Sequence, residues 1–248
     1  MLIPFSAHSG FRRQRGISLF IVIVLVMLSM LLALWGSRTS LFNEMIVGND
    51  ADYQRAFEAA QALIQDAEFD IRDVRPDGSP CVAVAGNPDS CRVGSAIRFP
   101  LEDKDLADLL STLQLQTSTE FCTKGLCLKR TGNQDFWNDK TTLDKMIAAN
   151  VGARYGQFTG AEKGAAGSAA SNPILNRTAA GTGGWYWIEI MPYDSNAGNS
   201  GLISDGSENL GLNINPNVVY RITAVARGMK PSTQVALQST FVRQKLKD

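Results

Sequence analysis

Four cysteines, one histidine and a few closely spaced carboxylates are the side chains from which catalysis, metal binding or cross-linking could be built. The histidine, His8, precedes the main apolar run, so no Ser-His triad, Cys-His dyad or His-ligated metal is available to the rest of the chain. Cys81 and Cys91 enclose a segment containing Gly86 and Pro88, whereas Cys122 and Cys127 enclose Thr-Lys-Gly-Leu, with Gly125 supplying a turn. Pairing of sequence neighbours is expected, Cys81 with Cys91 and Cys122 with Cys127, each short loop being worth ~2–3 kcal/mol in the chain-entropy account. The two other connectivities and a zinc site made of all four thiolates are the alternatives, although zinc-binding cysteine pairs stand closer together than Cys81 and Cys91. Asp135 with Asp139, and Glu102 with Asp105, are candidate carboxylate pairs for acid–base hydrolysis, but helical surfaces routinely carry such pairs. Asp194, Asn196 and Asp205 match part of a calcium-loop template that has Asn199 in place of its glycine and lacks its closing glutamate; a polar turn is the plainer reading. Trp185, Tyr186 and Trp187 could offer aromatic faces to a glycan or a partner, against core packing for those on the inward side of a strand. No Walker pattern is present. No metal, cofactor or catalytic residue is therefore expected.

The elements that position these residues begin with Ile17 to Gly36, which contains no charged residue. As a helix this run measures ~30 Å, the thickness of a bilayer core. Arg12, Arg13 and Arg15 precede it, so the positive-inside rule keeps residues 1–16 in the cytoplasm and sends the remainder across the membrane. The run is too long for a cleaved secretory signal, and Leu34 and Trp35 near its end put bulky groups where a cleavage site needs small ones. Equal numbers of basic and acidic residues, 24 of each, with pI near 6.6, leave no global field to gather nucleic acid.

Helical periodicity continues past Arg38. Leu41, Met45, Ala56, Ala60, Leu63, Ala67 and Ile71 form an apolar stripe, and Glu44, Asp52, Arg55, Glu58, Asp66 and Asp70 are expected on the complementary face. Gly48 and Asn49 are weak helix formers where local unwinding would be tolerated. From Ile17 to Arg72 the helical rise comes to ~84 Å. Beyond it, Leu101 to Gln114 and Thr141 to Val151 read as short helices, and residues 159–184 as a long loop rich in Gly, Ala and Ser. Trp185 to Met191, Val218 to Arg227 and Thr233 to Gln244 read as strands of an antiparallel meander. In the last, Val235, Leu237 and Phe241 share the face that can cover the long helix.

Arg-Arg-Gln-Arg-Gly followed by ISLFIVIVLV resembles a type IV prepilin leader. SLFNEMIVGNDADYQRAFEAAQALIQDAE resembles the N-terminal region of PilX-type minor pilins, and WYWIEIM and YRITAVARG that family's closing strands. The resemblance implies cleavage by prepilin peptidase between Gly16 and Ile17, and methylation of the new Ile17 amine. It implies an α+β pilin-like fold, with a long N-terminal transmembrane and amphipathic helix packed on an antiparallel sheet head. The implied division is a leader 1–16, a membrane span 17–36, an amphipathic stalk 37–75 and a periplasmic head 76–248. Most pilins place a glutamate fifth after the cut, where it pairs with the N-terminal amine of a neighbouring subunit; here that position is Ile21. That departure points to a subunit at the pilus tip, or else to Ile21 simply strengthening the anchor. The implied function is a minor pilin that promotes assembly and presents an adhesin. Its expected partners are other minor pilins, the major pilin, a tip adhesin, prepilin peptidase and the inner membrane, with no nucleic acid. A tip pseudopilin of a type II secretion system is the near alternative, and a membrane-anchored periplasmic enzyme the remote one.

Overall fold

The computed structural model describes residues 17–83, 86, 89–93, 95, 97–100, 102–115, 120–164, 171–193 and 214–244. Helix α1, Ile17–Arg72, is unbroken through Gly48 and Asn49. The chain nonetheless divides into two compact units there, Met1–Gly48 and Asn49–Asp248. In the first unit every side chain from Ile17 to Met45 is exposed, including Leu19, Phe20, Leu25, Leu32 and Trp35. Such a surface needs lipid or partner helices around it.

In the second unit α1 ends at Arg72 because Asp73 takes up a left-handed conformation, φ 57°. The amide of Val74 donates to the Phe69 carbonyl and that of Asp73 to the Asp70 carbonyl, each at 3.1 Å. This paired termination satisfies the last free carbonyls. Helix α2, Asp103–Gln114, starts later than the sequence suggests because Glu102, with extended backbone, caps it; Glu102 donates its amide to the Asp105 carboxylate at 3.3 Å. Helix α3, Lys140–Met146, ends short of the expected Val151. Asn150 turns left-handed there, and the carbonyls of Asn150 and Val151 accept from the amides of Lys124 and Gly125 instead of continuing the helix.

Among the described residues five strands form one sheet in the order β1–β2–β3–β4–β5: Cys122–Thr123, Leu126–Leu128, Gly183–Pro192, Ile214–Arg227 and Gln234–Gln244. The last three make the expected antiparallel meander, with Tyr186 opposite Ala224 and Ala224 opposite Leu237. The β1–β2 hairpin was not legible as strands, and β2 runs parallel to β3, pairing Leu126 with Ile188, so the sheet is mixed. Only a long crossover can join parallel neighbours, and the segment carrying α3 and the 171–182 loop is that crossover.

Both faces of the sheet are covered. Tyr186, Ile188, Tyr220, Ile222, Ala224 and Ala226 join Ala56, Ala59, Ala60, Leu63, Ala67 and Ile71 of α1 and Leu109 and Leu113 of α2 in one core. Alanines let the helix lie close: a Cβ on Gly184 would meet Leu63 Cδ1 at 2.6 Å. On the opposite face Trp185, Trp187 and Val225 pack with Phe136, Leu143 and Met146. Successive residues of β3 thus enter different cores, which is why the whole run from Gly183 to Ile190 is buried.

Candidate functional site

The processing signal itself falls outside the described residues, since Gly16 precedes them. Ile17 is the first residue of α1 and is exposed, as is Ile21 one turn later. Among the described residues α1 is the one helix long and apolar enough to cross a membrane.

The sequence reading sends Asp52, Asp66 and Asp70 to the exposed face of α1. The structure corrects this: all three are buried, on the side that meets the head. Each carboxylate holds a distant segment. Asp52 accepts the backbone amides of Met229 and Lys230 at 2.8 and 3.0 Å, in the turn between β4 and β5. Gly228 is obligatory beside it, because a Cβ there would collide with the Asp52 carboxylate and with Thr233. Burial alone would raise the Asp52 carboxyl, but hydrogen bonds from Thr233 and the Lys230 and Met229 amides hold it below its usual value. Asp66 accepts the Gly156 amide at 2.7 Å and the Thr159 hydroxyl. Desolvation dominates there and pushes its carboxyl up to about 7.

Asp70 binds a guanidinium. Arg92 donates from Nε to Oδ1 at 2.9 Å and from Nη2 to Oδ2 at 2.7 Å, and the Tyr186 hydroxyl donates to Oδ2 at 3.1 Å. Arg92 Nη2 also donates to the Lys124 carbonyl at 3.0 Å, and its guanidinium lies 3.7 Å from the centre of the Phe158 ring. Nη1 is buried with no hydrogen-bond partner among the described residues. Both ionic side chains are only 3 % exposed, so the pair stands in a low-dielectric setting. Burial next to the Asp70 charge raises the Tyr186 phenol well above its ordinary range.

The four cysteines form the two expected disulfides, Cys81–Cys91 and Cys122–Cys127, with Cα separations of 5.4 and 4.1 Å. No free thiol is left and no cluster of metal-binding side chains occurs among the described residues. The first bridge immediately precedes Arg92, and the second closes the hairpin whose Lys124 pairs with Asp89 at 2.9 Å. Cys91 and Arg92 both have positive φ, 59° and 48°, a backbone held by its surroundings.

The proposed carboxylate pairs have local tasks. Asp139 caps α3, accepting the amides of Thr141 and Thr142 at 3.3 and 3.1 Å, and the Thr142 contacts lower its carboxyl. Asp135 accepts from Asn138 Nδ2 at 3.0 Å, and Asp105 completes the α2 cap. Asp135 and Asp139 line one open surface pocket together with Arg130, Phe136 and Thr142, and each is engaged there in the local hydrogen bonds just described. Trp185, Tyr186 and Trp187 are at most 1 % exposed, so no aromatic face is left for a glycan; Trp187 donates Nε1 to the Met146 carbonyl at 3.1 Å. The calcium-loop candidate, 194–205, lies outside the described residues.

Two family models match: one described as PilX N-terminal, over residues 15–64, and one described as Type IV pilus assembly protein PilX C-term, over residues 123–243. The chain belongs to the PilX family of type IV pilus assembly proteins. No curated protein and no solved structure matches it. PilX pilins are structural components of the pilus, and the apolar α1 fits a single-pass membrane anchor in such a protein. The N-terminal match spans the Gly16–Ile17 junction, Ile21 and Asp52, and the C-terminal match spans all of β3, β4 and most of β5.

Proposed function

We propose that this PilX chain is a minor pilin acting at or near the tip of a type IV pilus, a structural priming subunit with no catalytic role. Residues 1–16 form the cytoplasmic leader that prepilin peptidase removes after Gly16, residues 17–36 the inner-membrane span, 37–75 the stalk and 76–248 the periplasmic head. Other minor pilins, the major pilin and a tip adhesin are its partners.

The observation that carries the tip assignment is Ile21 within an apolar segment that has no ionisable side chain from Ile17 to Gly36. A carboxylate at that depth is retained where a neighbouring amine satisfies it; an isoleucine offers the next subunit's amine nothing. A subunit of this kind ends a stack. Immunogold labelling should therefore give sparse signal at fibre ends, and deletion should strip surface pili while major pilin persists in the inner membrane. Removing the retraction motor should partly restore fibres by allowing slow unprimed assembly. Dense labelling along the shaft, or normal piliation in the deletion strain, overturns the assignment.

A further inference from the structure

Beside the Asp70–Arg92 pair, at the end of α1, the head holds a cavity of about 270 Å³. Arg92, Arg98 and Arg243 line it, together with Asp70 and Asp73. Phe99, Val93 and the Cys81–Cys91 bridge form the rest of its wall. Arg92 brings a polar atom that the pairing with Asp70 leaves over. Its Nε and Nη2 are engaged with the Asp70 carboxylate and the Lys124 carbonyl, which leaves Nη1, on the other edge of the planar fork, with two N–H groups to donate. That nitrogen is buried and has no acceptor among the described residues. A buried donor in this condition is rare, because it has given up water without a replacement.

A second such group lies behind the same wall. Tyr220 meets Phe99 edge to face, ring centres 5.6 Å apart, and its hydroxyl is buried with no partner among the described residues. The Arg243 charge reaches that hydroxyl. Arg98 is exposed and Arg243 half-buried, and neither side chain makes a hydrogen bond or ion pair among the described residues. Three guanidinium groups against two carboxylates leave the cavity one positive charge in excess. A monoanion balances it, whereas a dianion overshoots. Guanidinium forks match the planar carboxylate, and the ring of Phe99 suits a short apolar body beside it.

We infer that this cavity binds one carboxylate on a small apolar body, either a short organic acid or the C-terminal residue of a peptide. Arg98 and Arg243 attract and hold the anion, and Arg92 Nη1 gains its missing acceptor. The inference stands apart from the chain's place in the fibre, since a tip or shaft location moves the gold label and leaves the cavity unchanged.

Titration of the detergent-purified, isotope-labelled full chain with propionate at constant ionic strength tests it. The backbone amide signals of Cys91 and Phe99 should shift saturably, and those of Asp135 and Asp139 should stay in place. Sulfate, a dianion, should need about tenfold more for the same shift. Arg98→Gln and Arg243→Gln together should weaken propionate binding about tenfold, and Arg98→Gln alone, a change at an exposed residue, should weaken it about threefold. Intact disulfides and an unchanged melting temperature without ligand show that these variants are folded. Acetyl-Ala-Gly separates the two sources: binding about tenfold tighter than propionate supports a peptide terminus, and equal or weaker binding supports a short organic acid. Absence of a saturable shift with propionate overturns the inference, whether water or a carboxylate of this same chain fills the cavity. Sulfate binding as tightly as propionate, acetyl-Ala-Gly amide binding as tightly as the free acid, or propionate binding unaffected in the arginine variants overturns it as well.

Discussion

Asp70→Asn keeps the shape of the side chain and removes the charge that faces Arg92. The structure gives the guanidinium two short charge-assisted bonds to this carboxylate, at 2.9 and 2.7 Å, in a site where both partners are 3 % exposed. Charge-assisted bonds are worth roughly 1.5–3 kcal/mol each, and breaking one side of a buried pair costs about 3–5 kcal/mol because the other charge is stranded. The Lys124 carbonyl and the Phe158 ring remain, so the lower half of that range is expected, about 3–4 kcal/mol. For a head of this size that corresponds to a fall in Tm of about 6–16 °C. Trp185 and Trp187 are buried in the head, so tryptophan emission under non-reducing conditions follows its unfolding. Arg92→Met should be comparably harmful, since it strands Asp70 with little but the Tyr186 hydroxyl. The double variant should then cost no more than the worse single one, which is the signature of a coupled pair. A loss below about 1 kcal/mol for Asp70→Asn, or simple additivity in the cycle, would refute the account of Arg92 as a charge held in the core by Asp70.

Asp66, raised from 3.8 to about 7, holds its proton more tightly folded than unfolded, so its contribution to stability is greatest below about pH 4, declines as the pH rises to about 7 and is level above that. Urea melts across this range should show that slope, and Asp66→Asn should remove it and stabilise the head at pH 8 by at most about 4 kcal/mol. Asp52, held low, acts in the opposite sense, contributing stability that is lost only as the pH falls below its usual value of 3.8. Replacing Cys122 and Cys127 by serine should cost ~2 kcal/mol in denaturant melts, and replacing Cys81 and Cys91 more than their ~3 kcal/mol of loop entropy, because the second pair also fixes the backbone of Arg92. Mass spectrometry of membrane-extracted protein should find methylated Ile17 at the N-terminus, and Gly16→Val should leave the chain inserted with its leader attached.

The apolar stripe of α1 and the three closing strands are legible in the sequence because burial follows simple periods there. Ala56, Ala60, Leu63, Ala67 and Ile71 recur at three- and four-residue steps and all are buried. The aspartates defeat the same rule. Asp52, Asp66 and Asp70 fall at helical steps from those residues, yet a pattern reading sends every carboxylate to water. The amides of residues 156, 229 and 230, the hydroxyls of Thr159 and Tyr186, the Thr233 side chain and the Arg92 guanidinium make their burial tolerable, and none of those is near in sequence. The spacing that could have raised the question is present: an aspartate inside an alanine-rich stripe needs a partner. Disulfide pairing was legible from loop length. The parallel β2–β3 pairing was not, since three residues of strand carry no period and their partners lie beyond a long crossover.

The three aspartates also explain how an alanine-rich helix surface can specify one position against the sheet. Alanines make close contact possible but distinguish poorly between one register and the next, since a slip replaces one methyl by another. A shift of one residue rotates a helix by 100° and moves it 1.5 Å, enough to carry every carboxylate beyond hydrogen-bond reach at once. Asp52 would lose the β4–β5 turn, Asp66 the 156–159 loop, and Asp70 both Arg92 and Tyr186. Three buried carboxylates would be stranded together, at a cost of several kcal/mol each. The apolar stripe therefore supplies attachment, and the aspartates supply register. On the proposed reading, in which the anchored chain passes from the membrane into the fibre, a head fixed in register keeps its place on its helix during that step.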